Sequence, residues 1–366
     1  MKILHVVKKY PNALGGDAVV VSHLRKQQQH DGHTVAIVTS NCAEIPQQTH
    51  LYKIGLKDTP AQLDVITIKR LVSLVMLLVR MFAIVSKERP DVIHTHSIDM
   101  AFFVSFAARL FGVPIIHTFH IVTFYDNDQS VLRRKTEIWL AKRTRPYYVT
   151  APNNYDVQQL RAAGLQRALL LPNGVDVPFW TLPKTQSDTF TFLAVGRLER
   201  QKGYEYLIKA VSLLRHHSQP FCVIIVGEGS QEAKLRKLVI SLHLEDIISF
   251  VGRKSPKQVR ALLAAADAAV LPSLYETTPV TLLEAWSASV PVIVTSVGIM
   301  RDVPKDFGAA YVVPPKNEKA LMHAMAFYLE YPAERLAIAA KGYQEVKKYS
   351  WLLIAQTAKM IYKETQ

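Results

Sequence analysis

Short apolar runs alternate with longer helical patterns along almost the whole chain. The runs are rich in β-branched residues and have the length of buried strands, while the segments between them repeat apolar residues at helical spacing. Consecutive parallel strands need a crossover helix, so this alternation predicts parallel sheets with helices on both faces. Ligands of such sheets bind outside the carboxyl ends of the strands.

The alternation occurs in two blocks that are separated by a stretch rich in proline. In the first block, strands are predicted at 3–7, 35–39, 92–94, 115–118, 147–150 and 169–171, and helices at 18–30, 69–87, 99–111, 131–143 and 153–164. Residues 172–189 contain Pro172, Pro178 and Pro183 and are predicted to be a linker.

The second block repeats the pattern. Strands are predicted at 191–195, 223–226, 248–251, 268–271 and 292–295, and helices at 203–217, 231–242, 256–266, 280–288, 317–330, 332–348 and 351–363. The sequence thus predicts an α/β protein of two doubly wound domains, at 1–175 and 176–366. The final helix, about 350–366, either stays with the second domain or crosses back to the first. A cleft between two such domains is the expected place for an active site.

Size and composition fit a two-domain globular protein. The chain has 366 residues, of which 49% are hydrophobic and 20% charged, and these values exclude disorder, collagen and a coiled coil as overall descriptions. Its two cysteines, Cys42 and Cys222, are too few for a disulfide framework or a four-thiolate zinc site. The start shows no export signal, and the apolar run 71–86 contains Arg80 and is too short to span a bilayer. We therefore expect a cytoplasmic protein.

The net charge of +14 is spread over both halves of the chain. Such a charge favours phosphorylated or polyanionic partners, or an anionic membrane surface. No zinc-finger or RRM signature accompanies it, so no nucleic-acid partner is expected. The run 71–86 leaves two interpretations open: a helix buried against the first sheet, or a helix lying peripherally in the interface of an anionic membrane. The basic residues that flank this run are Lys69, Arg70, Lys87 and Arg89.

The segment 271–285 carries the densest chemistry, because a predicted strand ends there and a helix begins after Pro279. A helix start offers unpaired amides and the positive end of its dipole, which together suit a diphosphate. Glu276 precedes this anion site and Glu284 lies within the helix; two such carboxylates suit vicinal hydroxyls. A solvated acidic helix start is the plainer alternative. The amides expected to be free are those of Val280, Thr281 and Leu282.

The loop at 195–203 is the second candidate. It follows a predicted strand and carries Arg197 and Lys202, two cations that would clamp a phosphate. A basic surface turn would have the same composition. This loop therefore becomes informative only in combination with other segments.

Paired glycines form the third candidate. Gly15-Gly16 lies in the first loop, where glycine lets a ligand approach the backbone closely. Neither this pair nor Gly227-Glu228-Gly229 forms the glycine fingerprint of a dinucleotide site, and the sequence contains no P-loop motif. A dinucleotide cofactor is therefore not expected.

Four histidines lie at the ends of two predicted neighbouring strands: His94, His96, His117 and His120. A metal cluster is conceivable there. No carboxylate or thiolate motif accompanies the histidines, so we expect no metal. His120 is favoured as a polar group of the cleft, and a core or surface position stays open for each of the other three.

Taken together, these segments resemble the retaining glycosyltransferases of family 4. The resemblance rests on Glu276-x7-Glu284, the segment 291–298, Gly196-Arg197 with Lys202-Gly203, the Gly15-Gly16 loop, and the segments 90–97, 171–176 and 349–351. Each motif is weak alone, but they follow the family's order over essentially the whole chain.

This resemblance implies the GT-B fold, in which two Rossmann-like domains face each other across a cleft. It implies transfer of a hexosyl group from a nucleotide-diphosphate sugar to an acceptor hydroxyl, with retention of configuration and without a cofactor or metal. The C-terminal domain would hold the donor. The N-terminal domain would hold the acceptor: a glycan, a lipid-linked molecule or a small molecule.

The resemblance also assigns roles to residues. Arg197 and Lys202 would bind the donor phosphates, Glu276 the transferred sugar and Glu284 the ribose, while His120 would reach the sugar near the reacting carbon. The implied catalytic residues are His120, Arg197, Lys202 and Glu276. The implied donor-binding residues are Gly15, Gly16, Arg197, Lys202, Glu276, Pro279, Val280, Thr281, Leu282 and Glu284.

The chain departs from the family pattern at several positions. Where the family usually has Glu-Gly-Phe-Gly, this chain has Glu276-Thr277-Thr278-Pro279. Ile299 and Asp302 replace a usual glycine and glutamate, and Ala151-Pro152 lacks a usual serine. Two other functions stay open: a sugar-nucleotide epimerase on the same fold, and a basic binding protein without enzymatic activity.

Overall fold

The computed structural model describes residues 1–10, 16–41, 50–54, 68–120, 131–181, 183, 189–301 and 308–366. The chain divides into two compact units. The first unit comprises Met1–Asn173 and Trp351–Gln366, and the second comprises Gly174–Ser350. The boundary therefore lies two residues before the predicted one, and the last helix belongs to the first unit.

The first unit is built on a seven-stranded parallel sheet with the order β3-β2-β1-β4-β5-β6-β7. Its strands are β1 (Lys2–Lys9), β2 (Thr34–Asn41), β3 (Leu51–Lys53), β4 (Val92–Thr95), β5 (Ile115–Thr118), β6 (Tyr148–Ala151) and β7 (Ala168–Leu170). Its helices are α1 (Gly16–His30), α2 (Ile68–Glu88), α3 (Ile98–Phe111), α4 (Val131–Thr144), α5 (Asn154–Ala162) and, at the carboxyl end of the chain, α13 (Trp351–Lys363).

Both faces of this sheet are covered, which explains the continuous apolar run of β1. Successive residues of a strand point to opposite faces. Leu4 and Val6 pack into the cluster with α2 and α3, whereas Ile3 packs into the cluster with α1 and α13. The helix α13 therefore packs on the first sheet, although the entire second unit precedes it in sequence.

The second unit contains a six-stranded parallel sheet with the order β10-β9-β8-β11-β12-β13. Its strands are β8 (Phe190–Val195), β9 (Phe221–Val226), β10 (Ile248–Phe250), β11 (Ala268–Leu271), β12 (Val292–Thr295) and β13 (Tyr311–Val313). Its helices are α6 (Val177–Trp180), α7 (Tyr204–Leu214), α8 (Glu232–Ser241), α9 (Pro256–Ala265), α10 (Val280–Ser287), α11 (Glu318–Glu330) and α12 (Pro332–Val346).

The predicted linker is partly ordered structure, so that prediction was wrong in part. The backbone amide of Val175 donates to the Tyr349 carbonyl over 2.8 Å. The side chain of Asp176 caps the short helix α6, which carries a proline in its first turn, and Trp180 is buried in the second unit's core. Capping and burial order this segment in spite of its prolines.

None of the described helices is long and apolar enough to cross a bilayer.

Candidate functional site

The candidate site of the second unit lies at the carboxyl ends of β8 and β11, which are neighbouring parallel strands. The loops that follow these strands are joined directly. The amide of Leu274 donates to the Gln201 carbonyl over 2.8 Å, and the Gln201 side chain donates to the Tyr275 carbonyl over 3.1 Å. The two segments that the sequence analysis treated separately are therefore one structural element.

Gly203 makes this close approach possible. It has a φ of 66°, and a Cβ at this position would lie 2.0 Å from the Pro272 carbonyl oxygen. Any other residue would push the turn at Arg200–Lys202 away from the end of β11. The glycine thus brings Lys202 to the loop that carries Glu276.

Lys202 and Glu276 form an ion pair. The Ser273 hydroxyl also donates to Glu276 Oε1 over 3.0 Å. Glu276 is only 8% exposed and the Lys202 side chain 19% exposed, so both charges are shielded from water. The structure brings together a predicted phosphate-binding cation and a predicted sugar-binding carboxylate.

Tyr204 is a member of this site that the sequence analysis missed. Its side chain is buried, and burial together with the charge of Glu276 raises the pKa of Tyr204 above its ordinary range. The only signal in the sequence was an aromatic residue directly after Gly203. A small cavity joins these groups, lined by Val195, Lys202, Tyr204, Val270, Leu271, Pro272, Ser273, Glu276, Pro279 and Thr281.

The start of α10 differs from the prediction in one respect. Pro279 precedes the helix and Val280 is its first residue. The amide of Leu282 is already bonded to the Pro279 carbonyl, over 3.0 Å, because the first turn closes with an i to i+3 hydrogen bond. The expectation of a free Leu282 amide was therefore wrong. Val280 and Thr281 remain the candidates for an anion-binding amide.

Gly298 fixes the loop of Glu276 from the other side. Its φ is 54°, and a Cβ there would lie 1.9 Å from the Glu276 carbonyl oxygen. The next residue, Ile299, is buried and donates its amide to the Thr277 carbonyl over 3.0 Å. Isoleucine at this position therefore adds apolar packing behind the loop. Asp302 lies outside the described residues.

Glu284 lies in α10 and is partly buried. Burial raises the pKa of this carboxyl from an ordinary 4.5 to about 7. A carboxylate there would accept hydrogen bonds from a diol, whereas the protonated form has lost part of that capacity. Ligand binding at Glu284 should therefore depend on pH near neutrality.

We predict that nucleotide binding weakens as the pH falls below about 7, because a diol bonds best to the ionised Glu284. The variant Glu284→Gln should bind a nucleotide diphosphate about 10-fold more weakly at pH 8 and show little pH dependence. Since the folded state holds this proton up to higher pH than the unfolded state, the contribution of Glu284 to stability is present at pH 4.5 and is lost as the pH rises through about 7. The buried histidines contribute equally to wild type and Glu284→Gln, so the difference in stability between these two proteins should shift against the wild type as the pH rises from 6 to 8. Calorimetric titration and thermal unfolding at pH 6 and pH 8 test both statements. Equal wild-type affinity at the two pH values would contradict the first.

Arg197 is exposed just beyond β8, and it does not line the cavity. Its loop is held by the segment after β9: a Cβ on Gly227 would lie 1.9 Å from the Gly196 carbonyl oxygen, and one on Gly229 would lie 2.5 Å from the Leu198 carbonyl oxygen. Close packing of the loops therefore requires these two glycines and accounts for them without a dinucleotide site.

The first glycine pair is only partly described. Gly16 is the first residue of α1, and Gly15 lies outside the described residues. The predicted contact of Gly16 with donor phosphates stays a prediction.

A group of buried or partly buried histidines lies on or just after the neighbouring strands β1, β4 and β5. His5, a residue that the sequence analysis missed, belongs to this group together with His94, His96, His117 and His120. Burial lowers the pKa of His5 and of His120 to about 4 and that of His117 to about 3, and it also holds the pKa values of His94 and His96 well below their ordinary range. All five imidazoles are therefore neutral at pH 7.

Two family models match the chain. "Glycosyltransferase Family 4" matches residues 14–179, and "Glycosyl transferases group 1" matches residues 183–345. A glycogen synthase of Mycobacterium tuberculosis is 28% identical over 285 residues, which are 75% of this chain and 69% of that protein.

Solved structures with a similar fold superimpose on this chain along essentially its whole length. Sucrose-phosphate synthase from Thermosynechococcus elongatus superimposes with a TM-score of 0.82 at 22% identity, covering 100% of this chain and 99% of that one. HepE of Anabaena in complex with UDP-glucose superimposes with a TM-score of 0.80 at 18% identity, covering 99% of this chain and 100% of that one. At these identities the likeness establishes the fold, which is GT-B.

The two family matches follow one another along the chain, each on one parallel-sheet unit, and the motifs of the second lie on the joined loops of Lys202 and Glu276. The chain therefore belongs to the group 1 glycosyltransferases of family 4, enzymes that transfer a sugar from a nucleotide sugar.

Proposed function

We propose that this protein transfers a hexosyl group from a nucleotide-diphosphate sugar to an acceptor hydroxyl with retention of configuration and without a metal. The observation that carries the proposal is the shielded Lys202–Glu276 pair in the cavity at the ends of β8 and β11. It supplies a fixed cation for phosphate and a fixed acceptor for sugar hydroxyls within one small site.

The second unit binds the donor. Arg197 and Lys202 neutralise the diphosphate, the amides at the start of α10 bind a phosphate oxygen, and Glu284 accepts hydrogen bonds from the ribose. Glu276 holds the hydroxyls of the transferred sugar. The first unit supplies His120 to that sugar and binds the acceptor.

The reaction is a front-face displacement. The bond between the anomeric carbon and the β-phosphate oxygen breaks, and a bond from the acceptor oxygen to that carbon forms on the same face. The acceptor's hydroxyl proton passes to the departing phosphate oxygen. Lys202 and Arg197 stabilise the negative charge that develops on the diphosphate, which is the role a divalent ion has in other transferases.

The donor base is proposed to be uracil. The support is a similar fold: HepE of Anabaena forms a complex with UDP-glucose. The acceptor is a glycan, a lipid-linked molecule or a small molecule.

The proposal is tested by a transfer assay with UDP-, GDP- and ADP-sugars, after a thermal-shift screen has shown which nucleotide stabilises the protein. Transfer should persist after exhaustive EDTA treatment, with the anomeric configuration of the donor retained in the product. Complete loss that one divalent ion restores would overturn the metal-independent mechanism. A changed donor with no acceptor product would identify an epimerase instead.

We also propose that the first unit contacts an anionic membrane peripherally, through one face of α2 and the neighbouring helices. One side of α2 is buried in the core of the first unit, and its buried side chains are Leu77, Met81, Ile84 and Val85. The exposed apolar side chains of α2 are Leu74, Val75, Met76 and Val79, and those of α3 and α4 are Phe106, Leu110, Phe111 and Trp139.

Basic side chains accompany this apolar face. Arg80, Lys87 and Arg89 are exposed on or just after α2, and Arg143 stacks on the Trp139 ring at 5.3 Å. Each cation near an anionic surface is worth about 1 kcal/mol, so several of them would hold the enzyme reversibly. The helix packs against the first sheet, as the first of the two interpretations expected, and the apolar side chains that stay exposed on its other side support a membrane contact in addition.

We predict that the protein sediments with anionic vesicles but not with neutral ones, and that salt weakens this binding. The variant Val75→Asp/Val79→Asp should abolish sedimentation, because it places carboxylates on the exposed apolar face. The matched control Leu213→Asp changes an exposed leucine of α7 in the second unit and should leave sedimentation unchanged. No sedimentation with anionic vesicles at low salt would contradict the membrane contact.

A further inference from the structure

A continuous series of hydrogen bonds runs from His120 into the core of the first unit. We name it the His120 network, and its members in order are His120, His96, His5, Gln28, Tyr362, His94, Thr118 and Thr150. His120 alone among these members is more than slightly exposed; the others are buried. The network therefore connects one accessible imidazole to an interior that water does not reach.

The distances along the network are those of well-formed hydrogen bonds. They are 2.9 Å from His120 Nε2 to His96 Nδ1, 3.0 Å from His96 Nε2 to His5 Nδ1, 2.9 Å from His5 Nε2 to Gln28 Oε1, 3.2 Å from Gln28 Nε2 to the Tyr362 hydroxyl, and 2.6 Å for each of the links Tyr362–His94 Nδ1, His94 Nε2–Thr118 and Thr118–Thr150.

The side-chain amide of Gln28 determines which ring nitrogen carries the proton in His5, His96 and His120. Its Oε1 atom can only accept, so the Nε2 atom of His5 carries a proton and donates it. A neutral imidazole has one N–H group, so Nδ1 of His5 accepts, and the donor to it is Nε2 of His96. By the same step, Nδ1 of His96 accepts from Nε2 of His120.

The direction is consistent on the other side of Gln28. The amide nitrogen of Gln28 donates to the Tyr362 hydroxyl, which then donates to Nδ1 of His94. Nε2 of His94 donates to the Thr118 hydroxyl, which donates to Thr150. Each donor and acceptor in the network is thus used once in a single sense. Tyr362 belongs to α13, so the returning terminal helix completes the network.

The same histidines could be taken for a metal centre, because ligand atoms of His5, His94 and His96 lie within 4.8 Å of one another. All six ring nitrogens of these residues are already hydrogen-bonded, two of them to each other. A metal would have to displace these partners in a buried region. The paired arrangement therefore favours a hydrogen-bonded network over a metal site.

We propose that the His120 network is a positioning device that fixes His120 as the tautomer with its proton on Nε2, so that Nδ1 is a hydrogen-bond acceptor. An acceptor at this atom favours a hydroxyl or another donor group over a carbonyl or carboxylate oxygen. That His120 meets the transferred sugar rests on the proposed function; the tautomer itself does not. His96, His5, Gln28 and Tyr362 are positioning residues because they act through His120.

The tautomer is tested on the free, full-length protein by long-range proton–nitrogen correlation spectra of histidine labelled with heavy nitrogen. We expect a protonated Nε2 and an unprotonated Nδ1 for His120, His96 and His5 at pH 7. A protonated Nδ1 on His120 would overturn the proposal, and so would a change of these signals on adding zinc at a molar ratio of one. This measurement needs no substrate, so its failure is distinguishable from a failure of the proposed function.

Variants test whether the network sets the tautomer. Gln28→Leu removes the acceptor that directs His5, so His120 should become a mixture of both tautomers. Transfer should then fall about 10- to 100-fold in kcat, as when an outer partner of an active-site histidine is lost. The binding of bare nucleotide should be unchanged. Gln28→Leu with an unaltered His120 spectrum and unaltered kcat would contradict the assignment.

The matched control is Thr95→Val. The Thr95 hydroxyl is buried beside the network but pairs with His117 Nδ1 at 2.8 Å, so it lies outside the network. This variant should lose stability without changing the His120 tautomer or kcat. If Gln28→Leu does not fold, Tyr362→Phe takes its place, because it removes the hydroxyl that accepts from the Gln28 amide. The same mixture of His120 tautomers and the same loss of kcat are then expected.

Discussion

Replacing Lys202 with alanine is expected to lower kcat by about 100-fold or more. The variant removes the shielded cation that would meet the charge developing on the departing diphosphate. It also leaves Glu276, which is 8% exposed, without its ionic partner. Loss of a partner in a partly buried pair costs about 1 to 3 kcal/mol of stability after allowance for the exposure of Lys202. Steady-state kinetics and thermal unfolding measure the two effects separately.

Two further variants separate catalysis from stability. Lys234→Ala breaks a surface ion pair of the same unit, in which Lys234 Nζ lies 3.1 Å from Glu205 Oε2. This variant should not measurably change kcat or the unfolding temperature. Arg197→Ala removes an exposed cation and should lower kcat with little change in stability. Near-normal kinetics in both Lys202→Ala and Arg197→Ala would refute the phosphate clamp.

The second large effect is expected for Glu276→Gln. Glutamine keeps the shape of the side chain and one acceptor oxygen but removes the charge. We expect kcat to fall about 100-fold, because the carboxylate is assigned to the transferred sugar in the transition state. Binding of the bare nucleotide diphosphate should be unchanged or tighter, since Lys202 is then no longer neutralised by a carboxylate. Calorimetry with nucleotide and a transfer assay give the two numbers.

The matched control for this variant is Glu205→Gln, which removes the carboxylate of the surface pair with Lys234. It should leave transfer and binding unaltered. If Glu276→Gln weakens nucleotide binding while Glu284→Gln lowers only kcat, the roles of the two carboxylates must be exchanged.

The sequence predicted most of the strands and helices because each lies in its own run of periodic residues. The strands that it missed are β3 and β13, which have three residues each and form edges of their sheets. An edge strand pairs on one side only and buries less, so its sequence need not be strongly apolar. The short helix α6 was missed because its prolines indicated a linker, whereas a cap by Asp176 and the burial of Trp180 order it.

For the candidate site, the sequence supplied the right loops but not their contacts. Lys202 and Glu276 were each singled out from a local pattern of a strand end followed by a loop. Their pairing depends on Gly203, which meets the Pro272 carbonyl across the two loops. Tyr204 was missed because an aromatic residue at a helix start is ordinary core sequence.

The contacts among the histidines were even harder to predict from the sequence. The sequence indicated His94, His96, His117 and His120 as a group because they lie at the ends of neighbouring strands, and the family resemblance pointed to His120. His5 lies in β1 and Tyr362 in α13, so no local pattern connects them.

The sequence by itself determined two α/β units, the family and the loops that carry the charged groups, because periodicity and motifs are local properties of the chain. The tertiary structure decided which groups touch. It pairs Lys202 with Glu276, although 74 residues separate them, and it joins Gln28 to Tyr362 across 334 residues. Such contacts depend on strand order, on close approach at glycines and on the return of the last helix to the first sheet. Burial follows from the same packing, so the raised pKa of Glu284 and the lowered pKa values of the histidines are also decided by the tertiary structure.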